Sequence, residues 1–329
     1  MKFSCDKYVL QQAAASAARA AAAKSPIPTL EGLLIEAGAS VRITGYDLKK
    51  AIYTTIDADI PEPGSVLIGA RLFCEMLRRM PDGIVTVEAE NGTVTVRCGR
   101  SSFNLVGMSA EDYPDLPSVE AENGVSLPQD LLKKMINECS FAVSTNESRP
   151  VYMGTLFEIA HNELTMVSVD GYRLALRREP VDGYGDDCSF IVPGTALSDL
   201  ERLCGDSDER VVLSVGSKHI SFTVGNTVIL SRRLEGDFLN YKKAIPESFR
   251  VTVKTARTDL LEVVERVSLI IDSKNNAPLR LTFRKDAIDF VSARGLVNGM
   301  SATIYAPNNS TTRAQLWTIL ARQVDADLT

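Results

Sequence analysis

Alternation of apolar and polar positions is the strongest signal along this chain, and one such line is written twice. Residues 25–37 read SPIPTLEGLLIEA and residues 148–160 read SRPVYMGTLFEIA, so Gly32, Leu34 and Glu36 correspond to Gly154, Leu156 and Glu158 at an offset of 122. A weaker third copy, APLRLTFRKDAIDFVSA at 277–293, keeps the same alternation. Period-two runs of this kind predict half-buried strands. A line that recurs at domain spacing predicts a duplicated module.

Each copy follows a helical pattern. In SLPQDLLKKMINECSFAVS, Leu131, Leu132, Met135, Ile136 and Cys139 fall on one helical face, with Lys133, Lys134, Asn137 and Glu138 on the other. RTDLLEVVERVSLIIDS places Leu260, Leu261, Val264, Val267 and Ile271 on one stripe. Asp130 and Asp259 stand near the helix starts, where a carboxylate suits the dipole. The Ala-rich run at 13–23 predicts a first helix packing through small side chains. Asp6, Lys7, Gln11, Gln12 and Arg19 interrupt any apolar region that a targeting segment would need.

The likeness runs through the rest of each unit. IGARLFCEMLRRM (68–80) and VPGTALSDLERLC (192–204) predict a short second helix after a strand. IVTVEAENGTVTVRC (84–98) predicts a hairpin around Asn91-Gly92, and VVLSVGSKHISFTVG (211–225) its counterpart around Gly216-Ser217-Lys218. AEDYPDLPSVE (110–120) and EGDFLNYKKAIPE (235–247) read as extended linkers closing the units. The fold class expected is α+β, with domains at 1–121, 122–248 and 249–329, each of two helices on antiparallel sheets. The third is incomplete. After Ala306 the chain has no counterpart to the hairpin, and residues 307–329 either supply a makeshift second helix around Leu316–Leu320 or stand outside the fold.

Composition bounds the function. With 45% hydrophobic and 24% charged residues the chain is an ordinary globular protein, without an apolar run of about 18 residues to span a membrane. Its six cysteines form no CxxC pair, which fits free thiols in a reducing cytoplasm. His161 and His219 lack a companion acid or nucleophile, the GYG at 183–185 lacks a phosphate-loop frame, and no metal-ligand set is apparent. The expectation is no enzyme, no cofactor and no metal. A net charge of −6 argues against nucleic acid, but the distribution of charge reopens the question. One basic residue stands where each first helix hands over to its strand, Lys24, Arg149 and Lys274, spaced 125 and 125, and the helices add Arg19 and Lys133. Such cations either complement helix C-termini or form a shared basic surface.

The plan resembles the bacterial sliding clamp, the beta subunit of DNA polymerase III, in the MKFSC start, PTLEGLLIEA, RPVYMGTLFEIA, VDGYRLALRRE, AEDYPDLP and EGDFLNYKKAIP, from residue 1 to about 306. The resemblance implies the DNA clamp fold, three domains per chain, closed by a head-to-tail homodimer into a ring whose twelve helices leave a bore of roughly 27 Å around duplex DNA. It implies a bacterial, cytoplasmic, nucleoid-associated processivity factor that tethers the replicative polymerase and meets an ATP-driven clamp loader and repair factors through short linear peptides. Lys24 and Arg149 match the family's DNA-touching positions, with Lys274, Arg19 and Lys133 extending the set. Pro150 and Val151 match neighbouring contact positions without a hydrogen-bonding or aromatic side chain. A partner-peptide groove matches Tyr152, Val169, Gly171, Tyr172, Arg173, Leu174, Leu239, Lys243, Ala244 and Pro246. Phe103 and Leu105 facing Ile270 and Ile271 match a hydrophobic dimer seam. The rival readings are a truncated relative that binds peptides or regulates as a monomer, and a non-functional one.

Overall fold

The computed structural model describes residues 1–119, 124–182, 187–269, 279–284 and 288–292. The expectations for Ile270, Ile271 and Lys274, and for the tail 307–329, lie outside the described residues.

The first repeat opens with β1 (Lys2–Asp6) and α1 (Lys7–Ala18), continues through β2 (Gly32–Ala37), β3 (Val41–Tyr46), β4 (Lys50–Ile56), β5 (Asp59–Glu62) and β6 (Gly64–Gly69) to α2 (Ala70–Arg79), and closes with β7 (Ile84–Glu90), β8 (Thr93–Cys98) and β9 (Ser101–Met108). The second runs in the same order, without a counterpart of β5 among the described residues: β10 (Gly124–Pro128), α3 (Gln129–Ser140), β11 (Gly154–Ala160), β12 (Glu163–Val169), β13 (Leu174–Pro180), β14 (Cys188–Pro193), α4 (Gly194–Leu203), β15 (Arg210–Val215), β16 (His219–Val224) and β17 (Thr227–Arg232). Short 3-10 turns, Pro28–Glu31 and Pro150–Met153, precede β2 and β11 at the two prolines of the repeated line. The third copy begins with α5 (Arg257–Ser268), β18 (Leu279–Phe283) and β19 (Ile288–Ser292).

Local chemistry accounts for the elements. The Asp6 carboxylate caps α1, accepting from the Tyr8 and Val9 amides at 2.8 and 3.3 Å. Small side chains then let α1 sit low: Ala13, Ala14 and Ala17 are buried, and a Cβ on Gly45 of β3 would lie 2.0 Å from the Ala17 carbonyl oxygen. Asn91 and Gly92, at φ 50° and 76°, make the tight turn of the β7–β8 hairpin. On α3 the buried face is Gln129, Leu132, Met135, Ile136 and Cys139, close to the predicted stripe. On α5 Leu260, Val264 and Val267 pack against the core as expected, but Val263 is the buried position and Leu261 is exposed.

Contacts divide the chain into two units, Met1–Asp170 with Leu176–Phe238, and Gly171–Ala175 with Leu239–Thr329. In the larger unit a sheet of thirteen strands runs β10-β15-β16-β17-β4-β3-β2-β6-β9-β8-β7-β1-β5, beside a four-stranded sheet β13-β12-β11-β14. The two repeats meet where β17 pairs antiparallel with β4, from Thr227 opposite Thr54 to Ser231 opposite Lys50. One core joins α1, α2 and the first repeat's strands through Phe3, Leu10, Leu33, Ile35, Phe73 and Leu77. In the smaller unit α5 covers the β18–β19 hairpin, and Val263 and Ile288 are its buried centre, flanked by Val253, Leu260, Val264, Val267, Leu281 and Phe283.

Candidate nucleic-acid interface and open sheet edge

The seam fixes which side the helices occupy. α1 packs on β3 and β4, and α4 packs on β11, β14 and β17, so the two helices cover strands on either side of the seam. Asp199 of α4 pairs with the Lys50 ammonium of β4 and lies 4.0 Å from the guanidinium of Arg19, the C-cap of α1. Only a common side of the sheet allows that contact. A buried hydroxyl pair, Thr54 with Thr227 at 2.9 Å, and the Asn226 amide donating to the Thr55 carbonyl at 2.9 Å complete the joint.

The basic residues singled out by spacing separate into two kinds. Lys24 and Arg149 are exposed and make no ion pair among the described residues. Lys24 comes six residues after the last residue of α1 and Arg149 nine after that of α3, beyond the last turn where a helix dipole acts, so the helix-end explanation does not account for them. Arg19 and Lys133 are already committed, Arg19 to Asp199 and Lys133 to Asp206 at 2.7 Å. The Asp206 carboxylate holds the Lys133 ammonium above its ordinary value through that hydrogen bond. Pro150 opens the 3-10 turn after Arg149, and Val151 is half-buried.

The ten groove positions divide between the two units. In the larger, Val169 is buried strand core and Tyr152 packs edge-on against Phe238 at 5.6 Å. In the smaller, Gly171 takes φ 94°, Tyr172 is 85% exposed, and Arg173 is exposed with Leu174 half-buried. Leu239, Lys243, Ala244 and Pro246 are exposed around a short 3-10 turn whose Tyr241 is buried beneath the Lys242 ammonium, 5.6 Å from the ring centre.

The strand that carries Phe103 and Leu105, β9, has an open edge among the described residues. This strand pairs with β6 only at Met108 and Gly107. Ser101–Val106 therefore pair with β8 alone among the described residues. The corresponding stretch of the second repeat, Thr227–Arg232, is the one that pairs with β4. Phe103 and Val106 on this edge are 43% and 82% exposed, while Leu105 leans on the first repeat's core. The usable signal in the sequence was the repeat itself, once one copy's partner strand was known.

Four of the cysteines are held away from reactivity. Burial pushes the Cys5 and Cys139 thiols up to about 12 and those of Cys74 and Cys204 up to about 11, away from the thiolate. Burial and the nearby Arg232 lower His219. Among the described residues no His, Cys, Asp or Glu group is arranged for a metal ion, and no helix is long and apolar enough to cross a membrane.

Two family descriptions match the chain: "DNA polymerase III beta subunit, N-terminal domain" over residues 1–117, and "central domain" of the same subunit over residues 126–240. The beta sliding clamp of Bacillus subtilis is 31% identical over 294 residues, 86% of this chain and 78% of that protein. That of Halalkalibacterium halodurans is 30% identical over 306 residues, 89% and 80% of the two. Among solved structures, the beta subunit of Streptococcus pyogenes DNA polymerase superposes with TM-score 0.86 at 26% identity, over 92% of this chain and 83% of that one. The B. subtilis sliding clamp gives 0.85 at 29%, over 88% and 80%. A Pseudomonas aeruginosa clamp bound to griselimycin gives 0.83 at 25%, over 88% and 79%.

Proposed function

The chain belongs to the DNA polymerase III beta subunit family of sliding clamps, and on that premise we propose that it encircles duplex DNA as a head-to-tail homodimer of three-domain chains. It is a sliding clamp by family; the encirclement, the domain boundaries at 121 and 248, and the dimer are our reading. One observation carries it. The two repeats are joined by a continuous sheet with α1 and α4 on one side, and among the described residues the same kind of edge is left open at Ser101–Val106.

An exposed, partly apolar strand edge is a template for another strand. The seam already within the chain supplies the rule: a β17-type edge takes a β4-type strand. Applied at β9, that rule calls for a β4-type strand from a second copy, which the family's head-to-tail arrangement assigns to the third domain, and the ring closes when both copies make that joint. Phe103 and Leu105 then lie in the interface. Closure places the helices around the bore and the sheets outside, so an acidic protein holds DNA by topology, with sparse phosphate contacts.

In this reading Lys24 and Arg149 meet phosphates, and Lys274 joins them by its position in the repeat. Arg19 and Lys133 contribute less, because a carboxylate already neutralises each. The replicative polymerase, the clamp loader and repair factors dock through short peptides on the smaller unit's exposed Tyr172, Arg173, Leu239, Lys243, Ala244 and Pro246, with the half-buried Leu174 among them. The family's pattern adds Gly171 at the turn. Griselimycin on the P. aeruginosa clamp supports a ligand-accepting surface in the family. The chain works in the bacterial cytoplasm and catalyses nothing itself.

Sedimentation equilibrium tests the closure. The 35.8 kDa chain is expected to sediment as a dimer, and Phe103→Arg as a monomer with unchanged circular dichroism. A monomeric parent chain would favour the rival reading, a clamp relative that works without closing.

A further inference from the structure

We propose that Asp199 is a positioning residue that locks the first two repeats at one angle, so that the joint between them does not bend. The Asp199 side chain is only 9% exposed, on a helix of the second repeat, and both cations beside it come from the first: Lys50 from β4 and Arg19 from the end of α1. Their side chains are 15% and 36% exposed. A carboxylate this buried requires such partners, and each partner in turn depends on it.

The geometry explains why a ladder alone is insufficient. Neighbouring strands tolerate a relative twist anywhere from about 10° to 35°, so the five β17–β4 pairs leave a soft torsion. Asp199 sits on α4, in the helix layer rather than in the strand ladder. Twisting about the strand pair must therefore pull α4 away from α1 and β4, and the two ion pairs resist it. Lys50 belongs to both devices, since its backbone pairs with Ser231 while its ammonium reaches Asp199. The Thr54–Thr227 hydroxyl pair pins the other end of the ladder. Flexing, where the molecule needs it, then falls to other joints. That consequence for sliding rests on the clamp reading; the locked joint does not.

The test uses the full chain with spin labels at Glu90→Cys and Ser217→Cys, exposed positions in the hairpins of the two repeats. Cys74 and Cys188 are replaced by serine, and labelled chain is diluted with unlabelled chain so that distances within one molecule are read. The parent is expected to give one narrow distance distribution. Asp199→Asn is expected to broaden it roughly twofold, and Lys50→Gln by less, since Arg19 remains paired, in proteins that keep their circular dichroism. Widths equal to the parent's in both variants would overturn the proposal. Should Asp199→Asn not fold, Lys50→Gln decides alone: broadening supports the lock and an unchanged width refutes it. The measurement needs no DNA, so its outcome stands even for a parent chain that fails to encircle DNA.

Discussion

At the scale of single residues, what distinguishes Lys24 and Arg149 is that neither answers a local need. Both lie past their helix ends and neither has a carboxylate partner among the described residues, whereas Lys133 is held by Asp206. A cation free to meet a phosphate releases counterions, and one already paired releases fewer. Lys24→Ala and Arg149→Ala should each lower the slope of log affinity against log salt by about 1 on a short duplex, read by fluorescence anisotropy. Lys133→Ala should change it far less, and none of the three should shift the thermal midpoint. Spacing alone could reveal these positions, because a repeat marks where a side chain recurs without structural reason. It could not show that Arg19 is engaged, since Asp199 is far away in sequence and meets Arg19 only through the seam.

At the scale of elements, the hairpins and second helices follow from local chemistry and were legible. Asn91-Gly92 adopts the left-handed angles that its residue types favour. The stripe of α5 was legible in part: Leu260, Val264 and Val267 pack as expected, but the choice of Val263 over Leu261 is made by the hairpin beneath it. The depth of α1 also escapes the sequence: alanines predict a close helix, but the contact with Gly45 requires a strand that arrives later in the chain. Gly45→Ala should therefore cost on the order of 3 kcal/mol by denaturant unfolding, since its Cβ would overlap the Ala17 backbone, which cannot rotate away. Gly92→Ala meets nothing within 4 Å and carries only the strain of φ 76°, about 1 kcal/mol. Equal losses for the two would mean that α1 does not seat as described.

At the scale of the whole molecule, the repeat could be read from the chain, but the way the copies join could not. β17 and β4 are distant in sequence, and their alternation would suit many partners equally well. Only the structure shows that the second copy's last strand pairs with the first copy's sheet, and that Ser101–Val106 pair on one side alone among the described residues. Encirclement is the claim on which the rest depends. It is tested most directly by loading the protein onto a nicked circular duplex and following retention by gel filtration before and after one cut linearises the circle. Stable retention on the circle, lost once ends are available, is the predicted result. Release at the same rate from circle and line, or equal retention on both, would contradict it.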